Sequence, residues 1–478
     1  MVAAWGTINE WQPPYGRVTT WYASLGAREA VRTGRRDHLA PSYQRRQHLC
    51  TAHFADATGR EVPRLMVLAW DMPGVCDVPA MTTAINTHVR RHDAYHDWFE
   101  FENGDLVCRS IDNPENVDFV PVKFGHMDAE QVREHVLTTT PRTLEWGCFI
   151  FGIIQHADYF TFYASIDHLH IDGVSAGLIF LDLYTTYLDL PQASMFPQVA
   201  SYRDYTARQR EQVSCLTLSS PEIRDWMDFV HDIDGNWPSF PLPLGDTWTS
   251  NRGDFLTVDL LDAAETTLFD AVCRKAGARF SGGVLACAAL AEGALTGCQT
   301  YHGFTPCDTR EPGVDTMTVG WFASMIPIAV PIRTGSFSEA ARAAQNSFDG
   351  SRYLARVPLE RLLELATPRE LGIKPPTRRA VMVSFLDFRK IAVGAMWEAT
   401  NFGVYGDNLS HGGVNVWINR HTGKTTMTIS FPDNSTARAS VCRYIQVLRE
   451  TFGNAVGGVK ASVNEVADQV DPYELYAS

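Results

Sequence analysis

The chain has 478 residues, a formal net charge of −14, and 45% hydrophobic against 20% charged residues. That composition belongs to a folded globular protein rather than a disordered one, and the length exceeds one ordinary core, so two domains are expected. The acidic balance excludes non-specific nucleic-acid binding, which needs a basic face; no Lys/Arg cluster interleaved with aromatics offsets it.

The first ten residues, Met1 to Glu10, carry neither the basic nor the apolar region of a secretory signal. No apolar run approaches the roughly 20 residues that span a bilayer. Cysteines at 50, 76, 108, 148, 215, 273, 287, 298, 307 and 442 are scattered, with no C-x-x-C pair. This pattern fits reduced, mostly buried thiols better than a disulfide framework or a zinc site. A soluble, cytoplasmic protein is expected.

In chain order, the first forty residues read as irregular, and Arg64 to Trp70 as a first strand. Residues 79–99 place Ile85, Val89, His92, Tyr95 and Phe99 at helical spacing. Strands are expected at 105–112 and 117–123. Cys148 to Ile154 and Tyr159 to Ile166, joined by Gln155-His-Ala-Asp158, predict a β-hairpin. Val174 to Leu188 reads as a buried helix, and 199–231 as helical and polar with a break near Pro221. The Pro-rich stretch beginning at Trp237 is the candidate linker, placed at 237–250 between domains at 1–236 and 251–478. Beyond it, helices are expected at 262–277, 281–296 and 436–453. Strands are expected at 299–305, 318–332, 380–388, 397–405, 413–420 and 424–431. Mixed helices and strands in both halves predict an α/β (α+β) protein of two sandwich domains, not a parallel βαβ array.

The most informative stretch is Ser165-Ile-Asp-His-Leu-His-Ile-Asp-Gly173. Its hairpin strand delivers His168 at the strand end, with Asp172 and Gly173 four and five residues on. An imidazole held there can act as a general base, taking a proton from a hydroxyl or amine as that group attacks a carbonyl. Asp172 can pair with a distant arginine and hold the loop, and Gly173 permits backbone geometry that other residues resist. Two other readings remain open at this level. His168 could be an ordinary histidine ending a strand beside an Asp-Gly turn. Alternatively His168, His170 and Asp172 could begin an H-x-H-x-D-H zinc signature. Gly173 stands where that signature has its last histidine, however, and the later histidines 231, 302, 411 and 421 lack companions.

With those residues, the chain resembles the condensation-domain superfamily, which includes chloramphenicol acetyltransferase, BAHD acyltransferases and peptide-synthetase condensation domains. Val89 to Phe99 resembles the early "RHE-x-LRT-x-F" helix of these domains. Ser281 to Arg310 is similar to the helix–strand–arginine segment of the second half, and Val319 to Pro327 to the stretch that follows it. Within the superfamily it looks most like the mycobacterial polyketide-associated protein (Pap) acyltransferases, in particular those acting on trehalose. Arg64 to Val67, Leu144 to Phe149, Phe240 to Asp246, Gly277 to Phe280 and Phe431 to Asp433 carry that likeness.

The resemblance implies two chloramphenicol-acetyltransferase-like domains in a V, with His168 as base in a tunnel between them. A long-chain acyl group would pass from acyl-CoA or a carrier-protein thioester to a hydroxyl of trehalose or trehalose sulfate, with no metal or bound cofactor. A phthiocerol-type diol acceptor, or a non-catalytic docking module, is the alternative. Contact with a polyketide synthase or lipid transporter, and at most peripheral association with the inner face of the plasma membrane, also follow from it. Arg310 is the implied partner of Asp172 in a structural ion pair; Asn401 and Ser384 are candidate substrate or oxyanion contacts. Asp167 stands where the superfamily motif usually begins with histidine.

Overall fold

The structure, a computed structural model, describes residues 4–189, 198–246, 252–374, 381–390 and 394–468. The last four positions expected in the linker, 247–250, and residue 380 of an expected strand lie outside those residues.

Two large sheets organise the molecule. One has seven strands in the order Ala4–Thr7, Gly403–Gly406, Leu65–Pro73, Tyr159–Asp167, Phe149–Gln155, Gly16–Ala23 and Phe119–Met127. The other has six: Gly253–Leu261, Thr425–Pro432, Asn415–Arg420, Met382–Asp387, Thr300–Asp308 and Ala323–Pro331. A third, small sheet joins Arg35–Asp37, Asp105–Ser110 and Asp97–Glu102. The predicted hairpin forms in register, Phe149 opposite Ile166 and Gln155 opposite Phe160. Its strands are buried on both faces, which is why they read as near-continuous apolar runs.

Each large sheet has its own core. Trp21, Trp70, Phe151, Phe162 and Phe180 pack in the first; Trp226, Phe269, Phe304, Ile418 and Phe452 pack in the second. The first core is not built from the first half alone, because Phe388, Trp397, Phe402 and Val404 join it.

Several expectations need correction. The first forty residues hold two strands of the large sheet and the helix Leu25–Arg32. The helix expected over 79–99 stops at Arg91, and Asp97–Glu102 is a strand of the small sheet. The strand expected from 318 begins at Ala323, since Gly320 has φ of 156°. Within 397–405 a helix, Gly394–Ala399, precedes the short strand Gly403–Gly406, which joins the first sheet between Ala4–Thr7 and Leu65–Pro73. The helix Tyr43–Thr58 was not foreseen at all.

Among the described residues no single helix is long and apolar enough to cross a membrane; Ala263–Lys275 and Phe280–Thr296 meet that test only together, bent by 93°.

Candidate active site

The strand Tyr159–Asp167 ends in a single 3-10 turn, His168–His170, followed by the helix Gly173–Tyr187. The His168 amide donates to the Arg64 carbonyl at 2.7 Å, which anchors the turn to the start of the neighbouring strand. From the other side the buried Arg45 donates its Nε to the Leu169 carbonyl at 2.8 Å. Arg45 also lies over the Tyr202 ring, 4.1 Å from its centroid. Backbone and side chain therefore both fix the loop.

The His168 ring is half-buried. Its Nδ1 is enclosed and has no partner beyond the residue's own main chain. Nε2 is thus the nitrogen left for a substrate. Trp321, arriving from the second half, packs against the ring with centroids 3.9 Å apart. Burial, seconded by the nearby His48, pushes the imidazole pKa down to about 4, so at neutral pH it is an uncharged base.

Asp172 has three tasks. Its Oδ1 accepts from the Ser175 amide at 2.8 Å, capping the helix that follows. Arg310 grips both carboxylate oxygens, Nη1 to Oδ2 at 3.0 Å and Nη2 to Oδ1 at 3.1 Å. The Phe322 amide donates to Oδ2 at 2.9 Å. Burial alone would raise the Asp172 pKa, but the paired Arg310 guanidinium holds it below the usual carboxylate range. Ser175 extends the same clasp: its hydroxyl accepts from Arg310 and from the Gly320 amide, and donates to the Gly320 carbonyl. Gly320 needs its left-handed φ and its lack of a side chain, since a Cβ there would stand 2.2 Å from the Tyr202 ring. Through these contacts Asp172 and Arg310 tie the motif to the segment that carries Trp321.

Three expectations for the site fare differently. Gly173 has no positive φ, and a Cβ on it would meet only Leu386 Cδ1, at 3.8 Å. As the first residue of an ordinary helix it requires no unusual backbone, so the conformational reason given for it is withdrawn. Asn401 is exposed and bonds Asp71 at 2.8 Å. Asp71 lies opposite Thr161, seven residues before His168 on an extended strand, a separation of about 20 Å. At that distance Asn401 cannot hold an oxyanion formed at His168. Ser384 is buried on the strand Met382–Asp387. By strand alternation it shares a face with Leu386, the residue nearest Gly173.

The zinc alternative finds its ligands committed elsewhere. His170 is buried between Tyr95 and Phe149, and burial with the nearby Arg45 pushes its pKa down to about 3. The Asp172 carboxylate belongs to Arg310. Among the described residues, the grouping of three ligand-bearing residues within 4.8 Å is instead His88, His92 and Asp182. There Asp182 already receives His88 at 2.6 Å and Arg91 at 2.7 Å. This is an ion-paired network joining the helices Val78–Arg91 and Gly173–Tyr187.

His48, Trp321 and the partners of Asp167 belong to no catalytic motif in the sequence. Asp167 is fully buried: Oδ1 faces His48 Nε2 at 2.7 Å and accepts from the Leu169 amide at 3.0 Å. Oδ2 accepts from Thr143 at 2.6 Å and Arg64 at 3.4 Å. Burial opposes the charge, but His48, Arg64 and Thr143 together hold the carboxyl far below its ordinary pKa. His48 lies on the unforeseen helix Tyr43–Thr58, whose signal was available: Ser42 as N-cap and Gly59, at φ 65°, as C-cap.

An imidazole presented at the end of a central strand, neutral and with one nitrogen free, suits the removal of a proton from a nucleophile attacking a carbonyl. Two mixed sheets clasped around it through an aspartate–arginine pair define a condensation-type acyl-transfer fold. The condensation domain is the family whose profile matches, over residues 65–375, and the chain belongs to that family, in its Pap acyltransferase branch. Trehalose-2-sulfate acyltransferase PapA2 of Mycobacterium tuberculosis (strain H37Rv) is 41% identical over 463 residues, 96% of this chain and 98% of the relative. Acyltransferase PapA3 of the same strain is 40% identical over 455 residues, 94% of this chain and 95% of the relative. The solved structure of PapA2 acyl transferase superposes with a TM-score of 0.89 at 40% identity, covering 95% of this chain and 99% of its own. The condensation domain of the Monacolin K polyketide synthase MokA, 16% identical, gives 0.65 over 88% and 99% and shares the fold alone.

Proposed function

We propose that this acyltransferase moves a long-chain acyl group from a thioester, acyl-CoA or a carrier-bound chain, to a hydroxyl of trehalose or trehalose 2-sulfate. The observation that carries the chemistry is His168, neutral and with Nε2 unengaged. The names of the relatives support the acceptor class. His168 Nε2 takes the hydroxyl proton while the hydroxyl oxygen bonds to the thioester carbonyl carbon. The tetrahedral intermediate then expels the thiolate, which leaves as a thiol with the proton His168 received. Base, thioester and hydroxyl balance the reaction, so no metal or prosthetic group is needed. A positioned base contributes on the order of 10²–10⁴ in rate; alignment of the two substrates supplies much of the remainder.

We read the chain as two condensation-like subdomains, 1–236 and 251–478, joined by 237–250. Donor and acceptor approach His168 between them. Contact with a polyketide synthase or lipid transporter at the inner face of the plasma membrane is part of this reading. The test is incubation with palmitoyl-CoA and trehalose or trehalose 2-sulfate, followed by detection of a new glycolipid. His168→Ala is expected to abolish the product while leaving the circular dichroism and unfolding midpoint intact. Full activity in that variant sinks the assignment. Wild-type activity on a phthiocerol-type diol but not on trehalose moves the acceptor to that class, and inactivity on both favours a docking module.

A further inference from the structure

The His48–Asp167 pair is left over from the chemistry just described. Asp167 is an ionised carboxylate whose oxygens accept from four donors, His48, Leu169, Thr143 and Arg64. A carboxylate cannot donate, so the proton between Asp167 and His48 sits on Nε2 of His48. Nδ1 is then the polar atom of the ring that Asp167 leaves free, an acceptor when the ring is neutral and a donor when it is charged. Among the described residues that Nδ1 takes no hydrogen bond, and it is absent from the buried atoms lacking a partner, so solvent reaches it. The fold has thus oriented one hydrogen-bonding atom and left it open.

Its location gives Nδ1 a use. The His48 and His168 rings are 6.4 Å apart between centroids, too far for a hydrogen bond between them, so His48 does not relay the His168 proton. Both rings pack on Trp321, at 5.7 and 3.9 Å. The three form one corner: a flat apolar wall with two imidazoles on it. A monohydric alcohol has use for only one of those imidazoles, whereas a sugar offers several hydroxyls on one rigid ring. Specific sites are built in this way, from an apolar wall and a few well-placed polar atoms.

We propose that His48, held by Asp167, is a specificity-determining contact of the acceptor site, its Nδ1 sharing a hydrogen bond with a second hydroxyl of a polyol whose first hydroxyl is presented to His168. Trp321 is the wall against which the sugar ring lies. Asp167 engages Nε2 and turns Nδ1 towards the sugar, which accounts for a carboxylate at the position before the catalytic histidine. This inference rests on the polyol reading above and sharpens it.

A cycle between enzyme and substrate tests it, because two groups that contact each other show non-additive losses. The full-length chain is assayed with palmitoyl-CoA and a panel of dideoxytrehaloses, each lacking the same hydroxyl from both rings, comparing kcat/KM with that for trehalose. In the wild type one analogue is expected to lose about tenfold, the scale of a hydrogen bond to a well-placed partner. In His48→Phe the same analogue and trehalose are expected to react at equal rates, with the other analogues ranked as before. His48→Gln, whose amide can donate to Asp167 and accept from the sugar, is expected to recover part of the discrimination. Should His48→Phe fail to fold by circular dichroism, Asp167→Asn replaces it: weakening the hold on Nε2 is expected to shrink the same ratio. Discrimination as strong in the variant as in the wild type overturns the role of His48 and leaves the trehalose reading standing. A wild type that acylates no trehalose overturns the acceptor reading itself.

Discussion

A free imidazole, with a pKa of about 6.5, is already largely neutral at pH 7. Lowering that of His168 to about 4 therefore changes its charge in acid and not at physiological pH. The acid limb of kcat/KM for acyl transfer is expected near pH 4 instead of 6.5, checked with initial rates from pH 3.5 to 8 in the soluble range. Trp321 supplies much of the enclosure on one side, with centroids 3.9 Å apart. Trp321→Ala admits water to the ring and is expected to move the acid limb upward, towards the free value; an unmoved limb would mean that the rest of the fold does the desolvating. His168 was readable in the sequence because its partners Asp172 and Gly173 follow within five residues, in a recognisable spacing. Trp321 and His48 were not, since they meet His168 across 153 and 120 residues of chain and belong to no short motif. Asn401 is the opposite case: an echo of a motif points to it, and the sheet sets it beside Asp71, away from His168.

At the scale of the element, the helix Gly173–Tyr187 begins at a residue that is both its cap and half of an ion pair between the two halves. Removing one partner of a buried pair leaves the other charge uncompensated, at a cost of about 3–5 kcal/mol. Losing the cap adds about 1 kcal/mol. Asp172→Ala is expected to lose stability in that range by urea unfolding at pH 7, and activity with it; a well-folded, active variant refutes the structural role. The pH sign follows from the lowered folded pKa. The contribution of Asp172 is complete above the unfolded carboxyl pKa, about 3.9, and is lost as pH falls through the lower folded value. The difference between wild type and variant should shrink only below about pH 4. Gly173→Ala tests the neighbouring position. With only Leu386 near the new methyl and Ala the better helix former, its unfolding midpoint is expected to stay at or above that of the wild type. Elements with a strong apolar pattern, the hairpin and the helix behind it, could be read directly. The helix Tyr43–Thr58 was obscured because charged and polar residues such as Arg45 and His48 occupy its buried face, where a helical pattern would show apolar ones.

For the whole molecule, the arrangement into two sheets was legible, but the allegiance of one strand was not. Gly403–Gly406 comes from the second half yet pairs on one side with Leu65–Pro73 and on the other, in parallel, with Ala4–Thr7. A four-residue strand carries no mark of which sheet it will enter, and here long-range packing decides: Phe402 lies in the first core, stacked on Trp397 at 4.4 Å. Asp407, just beyond the strand, receives the Arg64 and Leu65 amides at 2.8 and 3.0 Å. Arg64 in turn holds the amide of His168, so the crossing strand fixes the edge on which the His168 loop rests. The two halves should consequently be one folding unit. Residues 1–236 expressed alone lack that strand, which strips Ala4–Thr7 of the strand it pairs with and turns Leu65–Pro73 into an exposed apolar edge, a template for aggregation. Such a fragment is expected to be recovered mainly as aggregate by size-exclusion chromatography. Co-expression with residues 251–478 should restore a soluble complex of the two pieces, and urea should unfold the intact chain in a single transition by tryptophan fluorescence and circular dichroism alike. A soluble, monomeric 1–236 fragment with a native-like transition would show that the crossing strand decorates the first sheet without sustaining it.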